Sequence, residues 1–224
     1  NTAILSGDAM LILAYQYFEN YEPIIFRDLA KLFSKTAIEV CEGQQLDVDF
    51  ESREDVSIDE YLKMIEYKTA VLVAAAMQMG AIVAQTSQEN AQKIYAFGLN
   101  LGIAFQIQDD YLDAFGDPAT FGKQVGGDII ENKKTFLYIK TLEFATDVQK
   151  TELAHLYSIH PENNEEKINA VKELYQITGA SKATQEAIKD FTLKAFEVLE
   201  SLDVSEDKKH ILRTFGKNLM ERKV

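Results

Sequence analysis

The chain has 224 residues, 46 % of them hydrophobic, enough to bury one sizeable core and suited to a single domain over 1–224. Its formal charge of −13, from 23 Lys and Arg against 36 Asp and Glu, disfavours non-specific binding to nucleic acid. One cysteine, Cys41, leaves no internal disulfide or cysteine-built zinc site and fits a reducing, cytoplasmic setting.

In chain order, helical patterns cover 3–18 and 24–45. SIDEYLKMIEYKTAVLVAAAMQMG (57–80) opens with Ser57 and Glu60 in the spacing of a reciprocal helix cap and continues through strong helix formers to Gly80. Its apolar end, AVLVAAAMQMGAIVA, has 15 residues, short of the roughly 18 that a membrane span needs, and reads as a largely buried helix. NAQKIYAFGLNLGIAFQIQDDYLDAFG (90–116) repeats apolar residues every three or four positions, at Ile94, Phe97, Leu101, Phe105 and Leu112, until Gly116 and Pro118 stop it. Further patterns cover 134–144, 148–157, 165–177, 181–202 and 205–219. The three prolines, Pro23, Pro118 and Pro161, sit beside turn residues, and no strand-length alternation competes. The expectation is an all-α chain whose helices pack as one bundle.

FQIQDDYLD (105–113) concentrates the chemistry. Asp109 and Asp113 fall one turn apart on one helix face, Asp110 flanks them, and Gln106 sits a turn earlier. Crowded carboxylates weaken a helix by a few tenths of a kcal/mol per like-charged pair, which a bound divalent cation reverses, and hard oxygen ligands suit magnesium. The alternative is a solvated acidic helix end. Just downstream, FGKQVGGDIIENKKT (121–135) offers Gly122, Gly126 and Gly127 for close backbone approach, with Lys123, Lys133 and Lys134 as cations. Such a segment suits a phosphate group, the alternative being a plain loop with surface charge. No GxxxxGK[ST] occurs, which excludes a Walker loop. Lys68 and Thr69 stand where the 57–80 helix turns from amphipathic to almost wholly apolar, so Lys68 either snorkels or faces a cavity.

GQQLD (43–47), YKTA (67–70), FQIQDDYLD, FGKQVGGDI and ENKKT stand in the order and rough spacing of the trans-type polyprenyl diphosphate synthases, the farnesyl and geranylgeranyl diphosphate synthase family. The chain resembles that family over nearly its whole length, thinning beyond about Glu143. The resemblance implies an isoprenoid-synthase helical bundle around a deep central cavity, as a homodimer, that condenses isopentenyl diphosphate with an allylic diphosphate. It implies that Asp109, Asp110 and Asp113 form the second aspartate-rich motif, binding Mg2+ that bridges to the allylic diphosphate, with Asp109 the direct ligand and the others acting partly through water. Lys123 resembles the lysine that grips the same diphosphate, while Asp128 and Lys133 line that site and Gln44 lies near it. Lys68, Thr69 and Gln106 resemble the groups beside the breaking carbon–oxygen bond. There the Lys68 carbonyl, Thr69 oxygens and Gln106 amide oxygen face the allylic cation, while the Lys68 charge serves the diphosphate. Arg222 and Lys223 resemble a basic tail that reaches the diphosphate of the homoallylic substrate.

Only one aspartate-rich motif is present, whereas the family has another upstream, with basic residues for isopentenyl diphosphate. NTAILSGDAMLILAYQ resembles the segment that follows that first motif, so the motif is expected to precede Asn1, and the 224 residues alone are not expected to turn over. A non-catalytic regulatory subunit of a prenyl diphosphate synthase is the alternative. A terpene cyclase suits the YKTA and FGKQVGGDI context less well. A di-iron protein would need a second partner for Glu152 and His155, and the chain has just three histidines.

Overall fold

The computed structural model describes residues 2–117 and 125–221, and among these every regular element is a helix. Helix α1 (Thr2–Gln16) leads through a 3-10 turn (Tyr17–Asn20) into α2 (Pro23–Glu51), which Pro23 opens at a position needing no amide donor. Then come α3 (Ile58–Ile65), a π-type turn (Glu66–Ala70), α4 (Val71–Val83) and α5 (Gln88–Phe115). Beyond them lie the short α6 (Gly127–Ile130), then α7 (Phe136–Phe144), α8 (Asp147–Leu156), α9 (Glu165–Ile177), α10 (Ala180–Glu200) and α11 (Glu206–Met220).

The cap read at Ser57 is present in full. The Ser57 hydroxyl accepts the Glu60 amide at 3.3 Å, and the Glu60 carboxylate accepts the Ser57 amide at 3.0 Å. Central α5 packs against α4 on one side and α10 on the other. One apolar cluster joins Tyr61, Ile65, Ile107, Phe136, Leu153 and Tyr175, and a second joins Ile94, Phe97 and Leu101 to Ala195, Leu199 and Leu202. Each fully buried side chain of this size contributes about 1.5–3 kcal/mol.

The structure departs from the sequence pattern in several places. Helix α2 runs to Glu51 rather than 45, because Leu46 and Phe50, one turn apart, both pack on the first cluster and carry the helix past its charged stretch. The 127–130 stretch, read as loop, is helical. The single bundle holds for the later helices, but no residue of α1 is buried. Its apolar Ile4, Leu5, Met10, Leu11, Ile12 and Leu13 encircle the helix, so no one stripe can face α2. It meets α2 through Tyr15, whose hydroxyl lies 2.5 Å from the Ser34 hydroxyl and whose ring stands edge-on to Phe33. No helix among the described residues is long and apolar enough to cross a membrane.

Candidate active site

The GQQLD and YKTA motifs meet where α2 crosses the π-type turn. In that turn the Val71 amide bonds to the Glu66 carbonyl, one residue farther back than in an α-helix, a local widening common at functional sites. Gly43 makes the crossing possible, because a Cβ there would stand 2.7 Å from the Tyr67 carbonyl carbon and nearer still to the Lys68 nitrogen. One turn along α2, the Asp47 carboxylate holds the Lys68 ammonium at 2.5 Å. Gln44 points elsewhere: it is exposed and does not line the cavity, to which the same motif contributes Asp47.

From the α5 side, Gly102 lies against Ala70, which brings Gln106 within reach of Thr69. The Thr69 hydroxyl donates to the Gln106 side-chain oxygen at 3.0 Å, and the Gln106 amide donates to one Asp110 oxygen at 2.9 Å. The other Asp110 oxygen accepts the Tyr61 hydroxyl at 2.6 Å. Asp110 is only 8 % exposed, so it differs from its neighbours in the cluster: both its oxygens are engaged in orienting Gln106 and Tyr61. Burial, then the Asp110 charge, pushes the Tyr61 hydroxyl well above its ordinary value and keeps it a donor.

The next aspartate ties two elements together. Asp113 accepts the Asp128 amide at 3.0 Å, and its backbone carbonyl accepts the Gly126 amide at 2.7 Å, docking the start of α6 on the end of α5. Asp128 in turn holds Lys133 at 3.2 Å, and Glu131 holds the same ammonium at 3.1 Å. These groups surround a cavity of about 420 Å³, whose polar wall includes Lys68, Gln106, Asp109, Asp113, Asp128 and Lys133 and whose apolar wall includes Phe50, Met64 and Ile65. Lys123, Arg222 and Lys223 lie outside the described residues.

The carboxylates of this wall are crowded. Burial, then the Asp128 charge, pushes Asp110 up to about 7 and Asp113 up to about 6, and burial also raises Asp128 despite Lys133. Burial pulls Lys133 down, but Asp128 and Glu131 outweigh it and hold its ammonium above the ordinary lysine range. Hard oxygens concentrated beside a lysine suit magnesium, which is commonly held by one or two carboxylates, waters and substrate phosphates. The donor set therefore fits the metal that the sequence suggests, although no three acidic groups converge into a ready-made cage among the described residues.

Tyr61 was not singled out from sequence. Its partner Asp110 lies 49 residues away, and the available signal is that Tyr61 stands two turns before Lys68 on the same helical run. Tyr61→Phe leaves one oxygen of a buried carboxyl without its donor, so stability to urea is expected to fall by about 1.5 kcal/mol. An unchanged unfolding midpoint would show that the bond contributes nothing.

Comparison with known proteins agrees with this layout. The polyprenyl synthetase family model matches residues 1–177. Geranylfarnesyl diphosphate synthase of Natronomonas pharaonis is 36 % identical over 223 residues, covering 99 % of this chain and 63 % of that relative's length. A crystal structure of a geranylgeranyl pyrophosphate synthase matches with a TM-score of 0.94 at 52 % identity, covering 100 % of this chain and 69 % of that one. The geranylgeranyl pyrophosphate synthase of Corynebacterium glutamicum, crystallised with isoprenyl diphosphate and magnesium, matches with a TM-score of 0.87 at 29 % identity, covering 98 % of this chain and 62 % of that one. With its motifs meeting around one cavity in a helical bundle of that shape, the chain belongs to the polyprenyl synthetase family.

Proposed function

We propose that the protein is a magnesium-dependent trans-prenyltransferase that condenses isopentenyl diphosphate with an allylic diphosphate, lengthening the chain by one isoprene unit. The observation that carries this reading is the sharing of one cavity wall by Lys68 and Gln106 with Asp109, Asp113, Asp128 and Lys133. The acidic and basic end takes the allylic diphosphate, and Phe50, Met64 and Ile65 accept its hydrocarbon. Magnesium, which Asp109 would hold, would supply positive charge to the departing diphosphate. Lys133 adds charge to the same group, and Lys123 belongs to this set by its motif position. As the carbon–oxygen bond breaks, its electron pair leaves with the diphosphate, and the allylic cation faces the Gln106 oxygen, while Thr69, which does not line the cavity, orients that oxygen through its hydroxyl. Asp110 and Tyr61 hold Gln106 in that orientation. The double bond of isopentenyl diphosphate attacks the cation, and the released diphosphate takes the final proton. Arg222 and Lys223 assist the second diphosphate, and the enzyme works as a cytoplasmic homodimer.

Gln106→Ala tests the division of labour. The family's first aspartate motif has no counterpart within these 224 residues. The test uses protein expressed from the complete reading frame. Calorimetric affinity for a bisphosphonate in magnesium is expected to stay within about twofold, while kcat falls about tenfold, because the amide oxygen serves the cation and not the phosphate. Equal losses in affinity and kcat would overturn the assignment.

A further inference from the structure

The turn that brings Lys133 to the cavity is held from behind by a buried cation. Lys167, in the first turn of α9, is 2 % exposed. Its ammonium donates to the Asn132 side-chain oxygen at 2.6 Å and to the Ile159 carbonyl at 3.1 Å, with the centre of the Tyr157 ring 5.9 Å away. Both hydrogen-bond acceptors are neutral. Burying an ammonium on neutral oxygens is costly for the fold, and a methionine of similar length would avoid that cost, so the charge has a use other than filling space.

Its partner explains the use. Asn132 has φ +57°, a left-handed conformation that asparagine tolerates better than most residues, and the chain reverses there between α6 and Lys133. The turn is bonded at several points: Asn132 amide to Ile129 carbonyl at 3.2 Å, Lys133 amide to Asp128 carbonyl at 2.9 Å, and Lys134 ammonium to Asn132 carbonyl at 3.0 Å. The Lys167 bond adds a side-chain anchor to α9. The next residue, Ile168, presses the other end of the same segment at Gly126, where φ is +84° and an added Cβ would meet the Ile168 methyl at 2.9 Å. Helix α9 thus forms a shelf under both ends of the segment that carries Asp128 and Lys133.

We propose that Lys167 is a positioning residue that, through Asn132, fixes the turn aiming Lys133 into the cavity, and so sets affinity for the diphosphate without touching it. This rests on the reading of Lys133 as a diphosphate-binding group. The test is calorimetric titration of the full-length protein with inorganic diphosphate in magnesium. Lys133→Ala is expected to weaken binding about tenfold, the scale of one charge-assisted contact, and Lys167→Met about three- to tenfold. The double variant should bind no more weakly than Lys133→Ala, because both changes act through one ammonium. Asn132→Gly keeps the left-handed turn and removes the acceptor, so it should reproduce Lys167→Met, and it carries the cycle if Lys167→Met does not fold. Additive losses in the double variant would overturn the proposal, since Lys167 would then support the fold at large. Wild-type binding by Lys167→Met and Asn132→Gly beside a weakened Lys133→Ala would overturn the positioning role alone. A silent Lys133→Ala would overturn the reading of Lys133 and the proposal with it.

Discussion

Gly43→Ala is expected to lower turnover by about a hundredfold, although residue 43 is not in the cavity wall. The new methyl would stand 2.7 Å from the Tyr67 carbonyl carbon, in a contact with backbone that no rotamer change can relieve. Carbon atoms rest at about 3.5–4.0 Å, so α2 and the π-type turn must part by on the order of 1 Å. Two effects on stability compete. Alanine in place of glycine favours a helix by about 1 kcal/mol, whereas overpacking at the upper end of its usual range costs about 3 kcal/mol, so the clash wins. The displacement falls on Lys68 and Thr69 and on the Asp47 partner that holds the former. Displacing reacting groups by about 1 Å is enough for a hundredfold loss. Steady-state kinetics and urea unfolding of Gly43→Ala check both parts, and full activity at wild-type stability would mean that the crossing is looser than described.

Asp109→Ala is expected to weaken magnesium-dependent binding of a bisphosphonate about a hundredfold. In the proposed reading Asp109 is the direct metal ligand by its motif position and its place on the cavity wall, while Asp110 orients Tyr61 and Gln106 and Asp113 accepts the Asp128 amide. A metal ligand contributes several kcal/mol, and about 2.7 kcal/mol corresponds to a hundredfold. Adding a chelator to wild-type protein should reproduce the loss, and adding it to Asp109→Ala should change little. Asp109→Asn, which keeps the shape and removes the charge, should resemble the alanine variant. Wild-type affinity in either variant would remove Asp109 from the metal site.

The helices were legible because their signals are local. Ser57 and Glu60 announce a cap within four residues, and 165–177 begins and ends where its periodicity does. The aspartate cluster was legible for the same reason, since its members share one helix face. The division of labour inside it was not legible, because it depends on partners distant in sequence: Tyr61 for Asp110, and the α6 amides for Asp113. An extra residue in the π-type turn leaves helix-forming composition unchanged, so EYKTA read as ordinary helix. In the GQQLD motif, sequence drew attention to Gln44, while the structure gives the close approach to Gly43 and the ion pair to Asp47. The 3–18 pattern was expected to pack within the bundle, but α1 leaves its apolar residues exposed, because composition reports that a residue is apolar and not that a partner faces it.

The most direct measurement is transfer of labelled isopentenyl diphosphate into extractable lipid by protein from the complete reading frame, with dimethylallyl, geranyl or farnesyl diphosphate as co-substrate. The account predicts a product one or more isoprene units longer in magnesium and none after chelation, with Asp109→Ala reduced about a hundredfold. Absence of product from every co-substrate, in a protein that still binds bisphosphonate with magnesium, would contradict it.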